Sequence, residues 1–129
     1  MGILGTNAYD VSDHEVGVYT KASNFNHSCS PNAIFLTNPN TGELRIHALD
    51  NIPPGDEIFV SYISADRFHG KPRQVRQDAL LAEYHFTCAC SLCSLSEAES
   101  KMSETKTLEF EEMMKNFGRK AHEMQRFLI

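Results

Sequence analysis

The sequence predicts an α+β chain, mainly β in its first part and helical toward its C-terminus, gathered around a metal site. Three observations carry that expectation. Short runs of β-branched and aromatic residues alternate with dense turn signals as far as Ile63. Helical spacing of apolar residues replaces them from Pro72 onward. The four cysteines fall in two places, Cys29 alone and Cys88, Cys90 and Cys93 together.

Taken in order, residues from Asn7 to Thr20 read as a short hairpin. Asp10, Ser12, Asp13, His14 and Glu15 supply turn chemistry, and Val16-Gly17-Val18-Tyr19 supplies strand formers. Ala33-Ile34-Phe35-Leu36-Thr37 and Leu44-Arg45-Ile46-His47-Ala48-Leu49 flank Asn38-Pro39-Asn40-Thr41-Gly42, so they should pair antiparallel, with Arg45 and His47 on the face opposite Leu44 and Ile46. Pro53-Pro54-Gly55-Asp56 is a second turn, and Glu57 to Ile63 is the next expected strand, with Tyr62 near its end. Between Pro72 and Tyr84, Val75, Ala79, Leu80 and Leu81 lie at helical spacing among polar residues. A polar linker is expected after Leu95. Beyond it Phe110, Met113, Met114, Phe117, Ala121, Met124 and Leu128 form the stripe of an amphipathic helix, expected either to pack on the preceding core or to begin a helical C-terminal domain.

The 129 residues suit one small domain, whose modest buried fraction makes a metal staple useful. Seventeen acids against twelve bases give a net charge of −5, with no basic cluster to track phosphates, which argues against direct nucleic-acid binding. Mild acidity suits a basic, lysine-bearing peptide, though only weakly. No apolar run is long enough to span a bilayer, and the first residues lack the pattern of a signal peptide, so the cysteines read as reduced thiols of an intracellular protein, nuclear or cytoplasmic.

Cys88, Cys90 and Cys93 sit too close together to pair readily with one another as disulfides. A remote fourth thiolate, Cys29, completes the four-sulfur tetrahedron that structural Zn²⁺ prefers. Loop closure between the two sites costs entropy only logarithmically with length, which metal binding can offset. With all four positions filled by sulfur, no open position is left for catalysis. A redox pair at Cys90-Ser91-Leu92-Cys93 is the competing reading, weakened because Cys29 and Cys88 then lack a role. A nucleic-acid-binding zinc finger would want paired Cys-x-x-Cys units and nearby bases. The histidines His14, His47, His69, His85 and His122 show no ligand spacing.

Three segments occur together in one order: Asn26-His27-Ser28-Cys29-Ser30-Pro31-Asn32, Gly55-Asp56-Glu57-Ile58-Phe59-Val60-Ser61-Tyr62, and Tyr84-His85-Phe86-Thr87-Cys88-Ala89-Cys90-Ser91-Leu92-Cys93. In order and spacing they resemble SET-domain protein lysine methyltransferases. The ending, with Arg73, Arg76, Leu80 and Tyr84 before the cysteines, is similar to the branch that includes the SET-and-MYND-domain proteins and their fungal relatives. The resemblance runs from Asn7 to Leu95. It implies small twisted sheets around a threaded segment, a zinc-bound post-SET loop, and the C-terminal half of a SET domain from a longer protein, since the family's glycine-rich cofactor segment is not recognisable here. The corresponding organisation is residues 1–86 as SET, 87–95 as post-SET, and 96–129 as linker and helix.

By the same resemblance, the chain uses S-adenosylmethionine to methylate lysines of proteins, histone or other. Tyr62 matches the catalytic tyrosine, Tyr84 the tyrosine lining the lysine channel, and Asn26, His27 and Phe86 the cofactor contacts. Ser23 and Asn7 sit where further cofactor contacts are expected. Residue chemistry agrees: an amide, an imidazole and an aromatic ring suit a nucleoside amino acid, and a tyrosine hydroxyl can orient an amine without acting as a base. Taken alone, Asn26-His27 would be a turn with a satisfied histidine and Tyr62 a strand-end packing residue. Ser28 and Asn32 read as turn-shaping, and Asp56 and Glu57 as turn and edge residues rather than an acid–base pair. The alternative to an enzyme is a catalytically inactive, zinc-stabilised protein-interaction module.

Overall fold

The computed structural model describes residues 7–12, 15–68 and 70–126. The expected turn at Asp13 and His14, together with His69 and Leu128, lies outside them, as do the side chains of Ala121, His122 and Met124. Strands fill the first half as three two-stranded sheets. β1 (Ala8–Ser12) and β2 (Glu15–Val18) form the expected antiparallel hairpin, with a register irregularity between Asp10 and Ser12. β3 (Asn26–His27) follows a 3₁₀ turn at Ala22–Asn24. β4 (Ala33–Thr37) and β5 (Leu44–Ala48) pair antiparallel, Phe35 opposite Ile46. The turn between them works as its residues predict. The Asn38 side chain accepts from the Asn40 amide, its carbonyl accepts from Gly42, and Gly42 takes φ +67°, open to glycine without steric cost.

The strand expected over residues 57–63 is far shorter. β6 is only Phe59–Val60, parallel to Asn26–His27. Side chains of the first motif replace the missing ladder. Asn32 accepts from the Phe59 amide through Oδ1 (2.8 Å) and donates to the Glu57 carbonyl through Nδ2 (2.9 Å). His27 accepts from the Tyr62 amide. A strand satisfied in this way leaves no regular ladder to extend.

Helices follow: α1 (Ala65–Phe68), α2 (Arg73–Tyr84) and α3 (Glu97–Arg126). In α2, the expected stripe is displaced. Val75 and Leu81 are exposed, whereas Arg76 and Leu80 are buried and Tyr84 half-buried, so the inward row is 76, 80 and 84. α2 ends at His85, which takes the left-handed conformation (φ +62°) and returns its amide to the Leu81 carbonyl.

The expected linker after Leu95 is helical from Glu97. Ser96 and Glu99 form a capping box: the Ser96 amide donates to the Glu99 carboxylate at 2.9 Å, and the Glu99 amide to the Ser96 hydroxyl at 3.3 Å. Nor does the apolar stripe of α3 pack on the core, since Phe110, Met113, Met114 and Phe117 are 50–69% exposed. The helix docks instead by its small polar face. Ser100 is buried, Glu104 accepts from the Arg73 amide, and Gly70 (φ +69°) lies so close that a Cβ there would stand 3.1 Å from Thr107 and 3.0 Å from Glu111.

Ile63, Leu80, Cys88 and Cys93 form the buried centre, with Phe68, Ala79, Tyr62, Tyr84 and Phe86 packed around it. The core is thus built on the cysteine cluster. Among the described residues, no helix is long and apolar enough to cross a membrane.

Candidate active site and metal centre

The four cysteine sulfurs lie within 4.8 Å of one another. Cys29 is 3.9 Å from Cys88 and 3.6 Å from Cys93, sulfur to sulfur. A tetrahedron with Zn–S bonds of about 2.3 Å has edges of about 3.8 Å, so the donor set fits zinc, and the spacing is far longer than a disulfide bond of about 2.05 Å. Two elements impose this arrangement. The loop after α2 turns back on itself, with the Cys90 amide directed at the Cys88 sulfur at 3.5 Å, and α2 grips that loop. Gln77 donates to the Cys88 carbonyl (3.1 Å) and Arg73 to the Cys93 carbonyl (3.0 Å).

Arg76 was not singled out as a functional residue by the sequence, although it shares a helix row with Leu80 and Tyr84. It is 6% exposed, donates to the Lys71 carbonyl, and places Nη2 3.9 Å from the Cys93 sulfur. Desolvation alone would lower its pKa, but hydrogen bonds to Cys29 and Cys93 raise it. Four thiolates around Zn²⁺ carry a net charge near −2, and a buried guanidinium offsets part of it. Arg76→Met should therefore weaken zinc binding about 10–100-fold, measured by competition with a chromogenic chelator; unchanged affinity would remove the charge-balancing role.

The predicted site residues divide into two adjoining groups. Asn7, Ser23, Tyr62 and Tyr84 line one cavity of about 680 Å³, with Tyr9, Asp10 and Phe35 from the sheets. Asn26, His27 and Phe86 lie outside its lining. The His27 and Phe86 rings nevertheless join those of Tyr62 and Tyr84 in one aromatic group, with centroids 5.3 Å (His27–Tyr62), 6.0 Å (His27–Phe86), 5.0 Å (Tyr62–Tyr84) and 6.3 Å (Tyr62–Phe86) apart. Asn26 is exposed and donates to Glu57 at 2.6 Å. Ser28 is buried, its hydroxyl shaping the turn through Ser30, and Asn32 is the clamp described above. Both are structural, as their place in the motif suggests.

Tyr62 is held at both ends. Its amide donates to His27, its hydroxyl donates to the Phe25 carbonyl at 2.7 Å, and its carbonyl accepts from the Tyr84 hydroxyl at 3.1 Å. Burial raises the pKa of Tyr62, and burial followed by Glu83, Tyr62 and Asp10 raises that of Tyr84, so both remain neutral phenols at physiological pH. Such a hydroxyl can accept a hydrogen bond while donating another. Burial, then the nearby Arg76 charge, lowers His27 to about 4, which keeps its ring neutral.

Residues 5–63 match the SET domain. The chain is 34% identical over 97 residues to histone-lysine N-methyltransferase set5 of Schizosaccharomyces pombe, covering 75% of this chain and 29% of that protein. It is 39% identical over 93 residues to a SET and MYND domain-containing protein of Dictyostelium discoideum (72% of this chain, 17% of that protein). It is also 33% identical over 110 residues to N-lysine methyltransferase SMYD2 of Mus musculus (81% and 24%). The chain spans less than a third of the length of each of these relatives. The motif Asn26–Asn32 and the strand leading to Tyr62 thus lie in the matched segment: the chain carries SET-domain sequence over residues 5–63 and is SET/SMYD-like, similar to protein lysine methyltransferases.

Proposed function

We propose that this chain carries the lysine-channel and cofactor residues of a protein lysine methyltransferase that uses S-adenosylmethionine. The observation that carries the reading is the meeting of Asn7, Ser23, Tyr62 and Tyr84 in one cavity whose tyrosines pack against His27 and Phe86. The cavity volume falls in the range usual for small-ligand sites, and its polar groups are few and convergent. Asn26, His27, Ser23, Asn7 and the Phe86 ring are the groups assigned to the cofactor, and they fit its mixed polar and aromatic character. When bound, the cofactor supplies an electrophilic methyl group on a sulfonium.

The chain's own residues do the rest. A lysine reaching the Tyr62 and Tyr84 rings leaves water for an aromatic surface, which lowers its pKa and favours the nucleophilic neutral amine. Tyr62, whose proton is directed at the Phe25 carbonyl, offers an oxygen lone pair to an amine N–H and orients it. The substrate is a lysine-bearing protein segment, histone or otherwise, and the four thiols suit a reducing nuclear or cytoplasmic setting. The test is calorimetry with S-adenosylmethionine on zinc-loaded protein. Saturable binding is expected, weakened about 5–150-fold in Phe86→Ala, the equivalent of about 1–3 kcal/mol of stacking. Absence of binding in folded, zinc-loaded protein would instead support a zinc-stabilised interaction module.

A further inference from the structure

The SET motif histidine, His27, has both ring nitrogens engaged inside the protein. Nδ1 accepts from the Tyr62 amide at 2.9 Å, so in the neutral ring the proton resides on Nε2, and Nε2 lies 3.3 Å from the Cys29 sulfur. The residue is 8% exposed, and its ring also packs against Tyr62 and Phe86. No other residue among those described is hydrogen-bonded both to a cysteine of the cluster and to Tyr62. One imidazole therefore spans the distance between the sulfur cluster and the main chain of the candidate catalytic tyrosine.

We propose that His27 is a positioning residue that couples the metal centre to Tyr62: the thiolate of Cys29 fixes the Nε2–H tautomer, and that tautomer presents Nδ1 as the acceptor that sets the Tyr62 main chain. The reasoning is that of an outer-shell histidine, in which what binds one nitrogen decides what the other can do. A thiolate accepts a hydrogen bond and holds the proton on Nε2. A ring with its proton on Nδ1 would turn a donor against the Tyr62 N–H, a clash of two donors in a buried site. Because β6 is only two residues long, the backbone ladder stops at Val60, and beyond it the His27 acceptor holds the Tyr62 amide. The inference rests on reading the four cysteines as a zinc site and Tyr62 as catalytic, yet it concerns only the chain's own hydrogen bonds.

Three measurements on the full 129-residue chain test it without requiring methyl transfer. In zinc-loaded protein, long-range proton–nitrogen correlation spectra should show the His27 ring as the neutral Nε2–H tautomer; an Nδ1–H tautomer or a charged ring overturns the proposal. Exchanging zinc for cadmium should shift the Tyr62 amide resonance, and an unmoved resonance also overturns it. The third measurement separates coupling from packing. His27→Asn keeps an acceptor near the place of Nδ1 but does not reach the sulfur, and His27→Gln keeps a donor near the place of Nε2 but offers no acceptor to Tyr62. Asparagine should speed zinc transfer to a chelator about tenfold while leaving the Tyr62 amide protected, and glutamine should speed Tyr62 amide exchange about tenfold while leaving zinc release slow. Equal losses in both readouts for both variants, or no loss in either, would mean that the ring only fills space. If neither variant folds, the tautomer and the cadmium shift decide the matter on the unsubstituted protein. A chain that passes these tests but fails to bind S-adenosylmethionine would refute the enzymatic reading and leave the coupling intact.

Discussion

Cys88→Ser is expected to abolish tight zinc binding and to unfold the region around α2 and the cysteine loop. Cys88 is 4% exposed and packs with Ile63, Leu80 and Cys93 at the centre of the core. Among the described residues, Leu80 and Val60 are the largest fully buried side chains, and a domain of this size buries only a modest fraction of its surface on folding. Structural zinc contributes on the order of 10–16 kcal/mol in small zinc modules, comparable with or larger than the total stability of an ordinary domain, about 5–15 kcal/mol. Zinc content should fall from about one equivalent per chain to a small fraction, and the cooperative thermal transition should broaden or vanish. Retention of about one equivalent at unchanged affinity would overturn the four-sulfur assignment.

Acid should act in the same direction. Burial pushes the Cys88 thiol up to about 11 and raises Cys29 further. At Cys90 burial is outweighed by amides of Cys93 and Cys29, and the thiol falls to about 6. Protons therefore compete with zinc for these sulfurs, and affinity falls as pH falls.

The second large effect is on turnover. On the proposed function, Tyr62→Phe should lower the kcat/KM for lysine methylation by about 10²–10⁴, with zinc content and S-adenosylmethionine binding unchanged. The substitution removes only the hydroxyl. The amide link to His27 and the ring packing on Tyr84 and Phe86 persist, and the lost bond to the Phe25 carbonyl costs about 0.5–1.5 kcal/mol of stability. A loss confined to KM would mean that the hydroxyl binds lysine without orienting it for reaction. Full activity in the variant would move the catalytic role elsewhere, with Tyr84 the next residue to test.

Much of this was written locally. Asn38-Pro39-Asn40-Thr41-Gly42 encodes the β4–β5 turn because each residue's own torsions and side-chain hydrogen bonds make it. The hairpin β1–β2 and the limits of α2 are legible for the same reason. Ser96 and Glu99 also announced the start of α3, a signal masked by the general polarity of the stretch. The stripe Phe110–Phe117 was legible as helical, but periodicity reports that a helix has an apolar face, not which face docks. The docking face of α3 was chosen by the close approach at Gly70 and by Glu104 reaching the Arg73 amide.

The sequence by itself determined the chemistry available: four sulfurs in a zinc-compatible set, the motif Asn26–Asn32, an amide–imidazole pair, and the aromatic residues Tyr62, Tyr84 and Phe86. Tertiary structure alone decided their relations. The Asn26–His27 pairing with Phe59–Val60 is two residues long and parallel, too short to leave any periodic mark. The Asn32 clamp and the Arg76 guanidinium beside the cysteines are likewise contacts between distant parts of the chain. Local patterns arise from torsional preference and from the period of a helix or strand, which each segment carries within itself. Contacts between distant segments arise only when burial and the satisfaction of buried polar groups are settled for the whole fold at once.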